Sequence, residues 1–250
     1  MKSVKESLLE RRSIRRYERE QVNPDDMRLI FEAIRNTPTS YNGQQFSVID
    51  VTDPEMKLKL YALIGQKQVK TCSHFLLFLV DYHKISLLAE ALGEDMPDFN
   101  NTVDGLAVGI VDASLAMMSA VTMAESLGLG CCPIGYARTV APEAVSTLLG
   151  LPKKTFVVCG LSIGVPREMP DLKPKQPREL VVFHNHYPQD DPEMTADLME
   201  YNDTVKEYNR TRAGDKTDND WGSHIIGYYR EAMNYGMLRA LQRRGFDPKR

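Results

Sequence analysis

Two polar stretches carry the side chains needed to hold an anionic, aromatic ligand. The first is RRSIRRY, from Arg11 to Tyr17, which contains four arginines and a serine. Guanidinium groups bind phosphate in bidentate geometry, and a hydroxyl adds a further hydrogen bond. The second is PTSYNGQQ, from Pro38 to Gln45, whose hydroxyls and amides can donate and accept hydrogen bonds at the edge of a heterocyclic ring.

A third stretch, LKPKQP, is an arm stiffened by proline that carries Lys173 and Lys175.

Each of the three stretches also has an explanation that involves no ligand. Arginines are favoured at the C-terminal end of a helix, PTSYNG is an ordinary turn sequence, and lysines on an arm are commonly solvated. The net charge of −3 and a pI near 6.0 argue against a nucleic-acid-binding protein and favour a small anion as the partner.

The usual catalytic signatures are missing from the sequence. It contains no GxGxxG between a strand and a helix, no GxxxxGK[ST] and no GxSxG. His184 and His186 lie close together without a neighbouring cysteine or carboxylate cluster, so no metal site is predicted. Four cysteines without CxxC spacing are expected to be buried free thiols: Cys72, Cys131, Cys132 and Cys159. If the protein is an enzyme, a cofactor is expected to carry the reaction.

The apolar segment from Gly105 to Gly130 is long enough to cross a membrane. It contains Asp112 and Glu125, however, and a charged side chain is costly in lipid, so we expect a buried central helix and no membrane. The N-terminus, MKSVKESLLERRS, lacks the apolar segment of a signal peptide. We therefore expect a cytoplasmic protein.

Caps and apolar spacing predict alternating helices and strands. Helices are expected at 4–12, 24–35, 54–64, 103–127 and 142–150. Strands are expected at FSVIDV, HFLLFLVDY and TFVVCGLSIG, and GLGCCPIGYA is expected to be a strand that leads into a loop. Residues 165–180 should form an extended surface arm, and residues 191–250 two helices around RTRAGDKTDND. The pattern is not a regular βαβ series, so it indicates an α+β sandwich with helices packed around a mixed sheet.

In this combination and order, the motifs resemble those of the FMN-dependent nitroreductase and flavin reductase family, in particular its larger, NADPH-preferring, oxygen-insensitive branch. RRSIRRY is similar to the family's phosphate-binding motif, PTSYNGQQ to its P-[ST]-S-x-N-x-Q loop, and GQKQV to the next flavin contact. DASLAMMSAVTMAESLGLGCCPIGYAR is similar to the central helix and flavin-edge loop, and DLKPKQP to the basic arm. The resemblance extends from about residue 5 to the C-terminus.

The resemblance implies a nitroreductase-like three-layer sandwich. Its sheet would be mixed but mainly antiparallel, with helices on both faces, a long central helix and a helical C-terminal extension. Residues 1–190 would form the FMN-binding core, and residues 191–250 the extension of the same domain. The family also implies a homodimer with the central helix at its interface.

The resemblance implies a role for individual residues. The FMN phosphate and ribityl chain would be held by Arg11, Arg12, Ser13, Arg15, Lys173 and Lys175, although family members often have histidine at the position of Arg11. The polar edge of the isoalloxazine would be bound by Ser40 and Asn42, with Gln66 beside them. The backbone near N5 would be that of Pro133, Ile134 and Gly135. Donors near N1 and O2 would be Gln66 or Lys67. No side chain is implied to be catalytic, because N5 of FMN carries the hydride.

The implied reaction is a ping-pong hydride transfer. NAD(P)H would reduce the FMN, and a small flat aromatic substrate (a nitroaromatic, a quinone or a free flavin) would then be reduced at the same place. In this branch, arginines between the tail helices bind the 2′-phosphate of NADPH. Here Arg212 and Lys216 lie among acidic residues, namely Asp215, Asp218 and Asp220, so the donor could be NADPH or NADH.

Three alternatives remain open from the sequence. The chain could bind FMN as a sensor or store without useful turnover, or it could perform a different flavin chemistry on the same fold. In the third alternative there is no flavin, and the arginines bind another phosphate or a partner protein.

Overall fold

The structure, a computed structural model, describes residues 2–189 and 192–248. The chain divides into two compact units, which we call the core unit (Met1–Met169 and Gly236–Arg250) and the excursion unit (Pro170–Tyr235). The boundary expected at residue 190, between the FMN-binding core and its helical extension, stays a prediction.

The strands are β1 (Phe46–Val51), β2 (His74–Asp81), β3 (Gly130–Ile134) and β4 (Thr155–Gly164). The helices before the excursion unit are α1 (Val4–Leu9), α2 (Pro24–Arg35), α3 (Pro54–Ile64), α4 (Lys67–Thr71), α5 (His83–Leu92), α6 (Val103–Ser126), α7 (Tyr136–Thr139) and α8 (Pro142–Leu148). The excursion unit contains α9 (Pro192–Thr211) and α10 (Trp221–Ala232), and α11 (Met237–Arg243) follows in the core unit.

The sheet of the core unit has the strand order β1-β2-β4-β3, and its strand pairs are antiparallel. A parallel pairing occurs at the isolated bridge between Ser13 and Cys131. Alternate residues of β2 enter two different apolar clusters. Leu76 and Phe78 pack with residues of α2 and α6, whereas Phe75 and Leu77 pack with residues of α3 and α8. Helices therefore cover both faces of the sheet, which confirms the three-layer sandwich.

Helix α6 is the predicted central helix. It is long and apolar enough to cross a membrane by length and composition. In the structure, Ala113, Ala116 and Ala120 are fully buried in the same cluster as β2 and β4. A side chain at Gly109 would lie 2.4 Å from Cγ1 of Val80, so glycine allows the close approach of helix and sheet. The helix is therefore a core element, as predicted.

The arginine stretch is not helical, contrary to the predicted helix over 4–12. Helix α1 ends at Leu9, and residues 11–17 are extended. The N–H of Ile14 donates to the carbonyl of Cys131 on β3 at 3.0 Å, and Tyr17 forms a bridge with Pro166. Ile14 and Tyr17 are buried by this pairing, so contacts with distant residues override the local helical preference.

The tail contains a third helix that the sequence analysis did not predict. Helices α9 and α10 pack together in the excursion unit, where the rings of Tyr201 and Trp221 lie 5.4 Å apart. Helix α11 belongs instead to the core unit, and its Leu241 is buried there. At seven residues, α11 is too short to give a strong periodic signal, as are α4 and α7, which were also missed.

Candidate functional site

The backbone of the arginine stretch is fixed from several sides. Besides the Ile14 bond to β3, the N–H groups of Arg15 and Arg16 both donate to Oε1 of Glu168, at 2.7 and 3.1 Å. The buried hydroxyl of Tyr17 donates to the carbonyl of Ile14 at 2.7 Å. Burial raises the pKa of this phenol, so it stays protonated and able to donate. The stretch is thus a firmly positioned extended segment.

The arginine side chains contain donors that a phosphate could satisfy. The Nε atoms of Arg11 and Arg12 are buried and have no hydrogen-bond partner among the described residues. Elsewhere on these side chains, Nη1 of Arg12 donates to the carbonyl of Glu10 at 3.0 Å. A buried donor without an acceptor costs about 1–3 kcal/mol, and phosphate oxygens are strong acceptors. The residues present therefore fit a phosphate group.

Glu125 of α6 lies beside these arginines. Its side chain is buried, and its Oε1 also lacks a hydrogen-bond partner among the described residues. Burial raises the pKa of Glu125, and Lys2, Arg11 and the backbone N–H of Arg12 partly offset that rise. The sequence analysis used Glu125 only to argue against a membrane span and missed this contact.

Residues 39–45, which we call the edge loop, have a strained backbone. A short 3₁₀ turn covers Ser40–Asn42, and Tyr41, Asn42 and Gln44 have left-handed φ angles of 57°, 52° and 53°. Such conformations cost about 1 kcal/mol or more each for residues other than glycine, and they cluster at functional sites. Ser40 is half-buried and Asn42 is exposed. The edge loop therefore presents polar groups from a backbone whose conformation the surrounding structure imposes.

Two of the predicted contacts, Ser13 and Arg15, lie near the thiol of Cys132 on β3, and a third, Gln66, is connected to it through Gln68. The hydroxyl of Ser13 and the amide of Gln68 lie close enough to Cys132 to lower the pKa of its thiol, and Gln68 donates to Oε1 of Gln66 at 3.2 Å. Burial raises the pKa of Cys132, while Arg15 and Ser13 lower it in part. The structure thus brings Ser13, Arg15 and Gln66 together through two residues, Cys132 and Gln68, that the sequence analysis did not assign.

The predicted flavin-edge backbone continues directly from this cluster. After Cys132, Pro133 is exposed, Ile134 is buried and Gly135 is exposed as the N-cap residue of α7. An added Cβ at Gly135 would meet no atom within 4 Å. Lys67, the alternative donor to Gln66, is exposed on α4. Pro133 and Gly135 are therefore accessible, and they follow the strand residues that lie beside Ser13.

The predicted basic contacts Lys173 and Lys175 are exposed and belong to the excursion unit. Lys175 lines an open surface cavity of about 560 Å³ together with Arg178 and Tyr201 of the same unit. Their contribution to the phosphate site stays a prediction.

The break between α9 and α10 is held by its own side chains. Arg212 donates from Nε to the carbonyl of Asp215 at 2.8 Å, and Arg210 pairs with Asp218 and lowers the pKa of that carboxyl. Asp220 caps α10 by accepting the N–H of Ser223 at 2.7 Å. Lys216 is exposed. Asp218 and Asp220 thus have structural partners. Arg212 is half-buried and lies in the break where the resemblance implies binding of the 2′-phosphate of NADPH.

The described residues contain no group of three or more His, Cys, Asp or Glu side chains able to hold a metal ion.

Comparison with known proteins identifies the family of the chain. The sequence profile described as "Nitroreductase family" matches residues 8–165, and the one described as "Nitroreductase family, C-terminal domain" matches residues 173–249. The chain belongs to the nitroreductase family.

Individual relatives match over nearly their whole length. A Bacillus subtilis protein named FMN reductase [NAD(P)H] is 37% identical, with 98% of each chain covered. A Staphylococcus saprophyticus protein named NADPH-dependent oxidoreductase is 30% identical, with 95% of each covered. The solved structure of the hypothetical oxidoreductase YcnD from Bacillus subtilis has a TM-score of 0.94 and 35% identity over 100% of both chains. These matches confirm the predicted family and fold.

Proposed function

We propose that this chain is an FMN-dependent oxidoreductase that takes a hydride from NAD(P)H and reduces small flat aromatic acceptors such as nitroaromatics, quinones or free flavins. Family membership and the name of the 37% identical relative support the flavin and the donor. The observation that carries the proposal is the pair of buried Nε donors of Arg11 and Arg12, which have no hydrogen-bond partner in the part of the chain that the structure describes. They lie in the stretch that resembles the family's phosphate-binding motif.

The residues would divide the binding of FMN between them. Arg11, Arg12, Ser13 and Arg15, with Lys173 and Lys175, would hold the phosphate and ribityl chain. Ser40, Asn42 and Gln66 would bind the polar edge of the ring, beside the backbone of residues 133–135. Bound FMN supplies a ring nitrogen that accepts a hydride from a nicotinamide and passes it to a second substrate. The protein's part is to orient the ring and to leave one face accessible.

The exposure of residues Pro133 and Gly135 supports a site that receives the donor and the acceptor in turn. Because both would occupy one position, we infer a ping-pong order. A position that accepts two different flat molecules must be tolerant, which supports a broad class of aromatic substrates rather than one.

A homodimer is supported by an apolar stripe on α6. Val111, Leu115 and Met118 are 50%, 42% and 39% exposed and follow one another at helical spacing. Such a stripe, next to a buried helix face, is typical of an interface with a second copy.

Sedimentation equilibrium is expected to give a mass twice that of the chain, which is 28.3 kDa.

A cytoplasmic location is part of the proposal. The four cysteines are free thiols, which is typical of proteins from reducing compartments.

The proposal predicts that the purified protein carries a yellow flavin that is bleached by NADH or NADPH without oxygen. The measurement is a visible absorbance spectrum before and after anaerobic addition of each donor, with the faster donor identifying the preference. Flavin absorbance that neither donor bleaches would mean a flavin-binding protein without reductase activity. A colourless protein that does not bind added FMN would overturn the proposal altogether.

Arg212 is expected to contribute to the choice of donor. Arg212→Ala removes a guanidinium that could pair with the 2′-phosphate of NADPH, and NADH lacks that group. We expect the KM for NADPH to rise about 10-fold, which corresponds to the loss of one charge-assisted hydrogen bond. The KM for NADH should change little. Steady-state kinetics with both donors make the comparison, and Arg230→Ala on α10 is the control. Equal changes for both donors would remove Arg212 from donor selection.

A further inference from the structure

The side chain of Asp112 is completely buried in the middle of α6, a predominantly apolar helix. Its Oδ1 accepts the N–H of Ser40 at 3.0 Å, and its Oδ2 accepts the N–H of Gln45 at 3.4 Å. One carboxylate therefore bonds to the edge loop close to the point where it begins and at the point where it ends. The sequence analysis used Asp112 only to argue against a membrane span.

We propose that Asp112 is the positioning residue for the flavin ring: by holding both ends of the edge loop, it sets where Ser40 and Asn42 meet the ring edge. The inference rests on the proposed function, because it needs a flavin in the site. It goes further because it assigns the alignment of the edge loop to Asp112, a residue of α6 that lies outside that loop.

The loop needs an external constraint because its backbone is unfavourable. Tyr41, Asn42 and Gln44 have left-handed φ angles, which persist in proteins only where the surroundings enforce them. Bonds within the loop, such as Gln44 N–H to Oγ1 of Thr39 at 3.2 Å, maintain its shape but do not fix its location. Its location is set by Asp112 and by the N–H of Asp81, which donates to the carbonyl of Gln45 at 3.0 Å.

A carboxylate suits this position better than any neutral side chain of its size. Both of its oxygens accept, so it can serve two N–H donors at once. The amide of asparagine has the same shape but only one accepting oxygen, and its NH₂ group would face one of the two N–H donors. Asp112→Asn therefore removes one of the two bonds and adds a donor–donor contact while the volume of the core is unchanged.

The consequence for binding differs between the two ends of the cofactor. A displaced edge loop weakens contacts with the ring, which FMN and riboflavin share. Contacts of the arginine stretch with the phosphate act on FMN alone, because riboflavin lacks that group. A ring-positioning residue is therefore expected to affect both flavins equally, and this pattern distinguishes it from a residue of the phosphate site.

The test is a titration of flavin-free protein with FMN and, separately, riboflavin, followed by quenching of flavin fluorescence. For Asp112→Asn we expect Kd to rise about 10- to 100-fold for both flavins, as for a lost hydrogen bond to a charged group. At saturating FMN, kcat should fall because the ring is misaligned, whereas the KM for the donor should change little. Ser114→Ala, which removes a hydroxyl that donates to the carbonyl of Ile110 in the same helix, is the control and should bind both flavins normally.

Each outcome decides the inference. A folded Asp112→Asn protein that binds both flavins as tightly as wild type, even if it unfolds more easily, would show that Asp112 is only structural. Weakening of FMN alone would place the residue at the phosphate end and overturn the proposal. If Asp112→Asn does not fold, Asp112→Ser, which keeps a small acceptor, is subject to the same criteria. A wild-type protein that binds neither flavin would reject the proposed function itself, whatever the variants do.

Discussion

Replacing Arg12 and Arg15 together by alanine is expected to yield a protein that purifies without bound flavin. Each charge-assisted contact with the phosphate contributes about 1.5–3 kcal/mol, so the pair corresponds to about 10²- to 10⁴-fold in the Kd for FMN. The extended backbone should persist, because the bonds from Ile14 to Cys131 and from residue 15 to Glu168 use main-chain N–H groups. The flavin content per chain, read from absorbance, gives the result.

Two comparisons make this prediction specific. Arg16→Ala removes an arginine of the same stretch whose side chain is 76% exposed and pairs with Glu168, and it should leave the flavin content unchanged. Riboflavin, which has the ribityl chain but no phosphate, should lose much less affinity for the double variant than FMN does. Full flavin content in the double variant would show that the phosphate lies elsewhere.

Phe246→Ala is expected to lower the free energy of unfolding by about 3–5 kcal/mol, the usual cost of removing a large aromatic side chain from a core. Phe246 is fully buried, and its ring lies 5.0 Å from that of Phe156 and 6.3 Å from that of Tyr82. The same turn is tied down by the amide of Asn100, which donates to the carbonyl of Gly245 at 2.6 Å. The C-terminal turn is therefore part of the core of the protein.

Urea unfolding of flavin-free protein at one fixed protein concentration measures the effect, because bound flavin and dimer formation both shift the transition. Leu238→Ala on α11 is the matched control. Leu238 is 61% exposed, so its replacement should change stability by no more than about 0.5 kcal/mol. A Phe246→Ala protein as stable as the control would contradict the assignment of the C-terminal turn to the core.

Local signals explain which elements the sequence predicted well. Helix α2 begins at Pro24, after Asn23 whose side chain accepts the N–H of Asp25, and α3 begins at Pro54 after a similar cap by Asp53. The apolar runs of β2 and β4 are strands buried on both faces, as expected. Each of these signals acts over a few residues, so it can be read without the rest of the chain.

Other features depended on partners far away in the chain. The helix expected over 4–12 would include Arg11 and Arg12, but the arginine stretch is extended because Ile14 pairs with Cys131 on β3. Helix α11 has little local signal, and it is the burial of Leu241 and Phe246 in the core unit that holds it there.

The amino-acid order by itself determined the family, the main elements and the stretches from which a flavin site would be built. The tertiary structure alone decided that the arginine stretch lies along β3 and that Gln68 and Cys132 connect Gln66 with Ser13. It also decided that Asp112 holds the edge loop. The physical reason is that motifs and caps act between residues close in the chain, whereas a buried carboxylate or thiol acquires its role from groups that only folding brings to it.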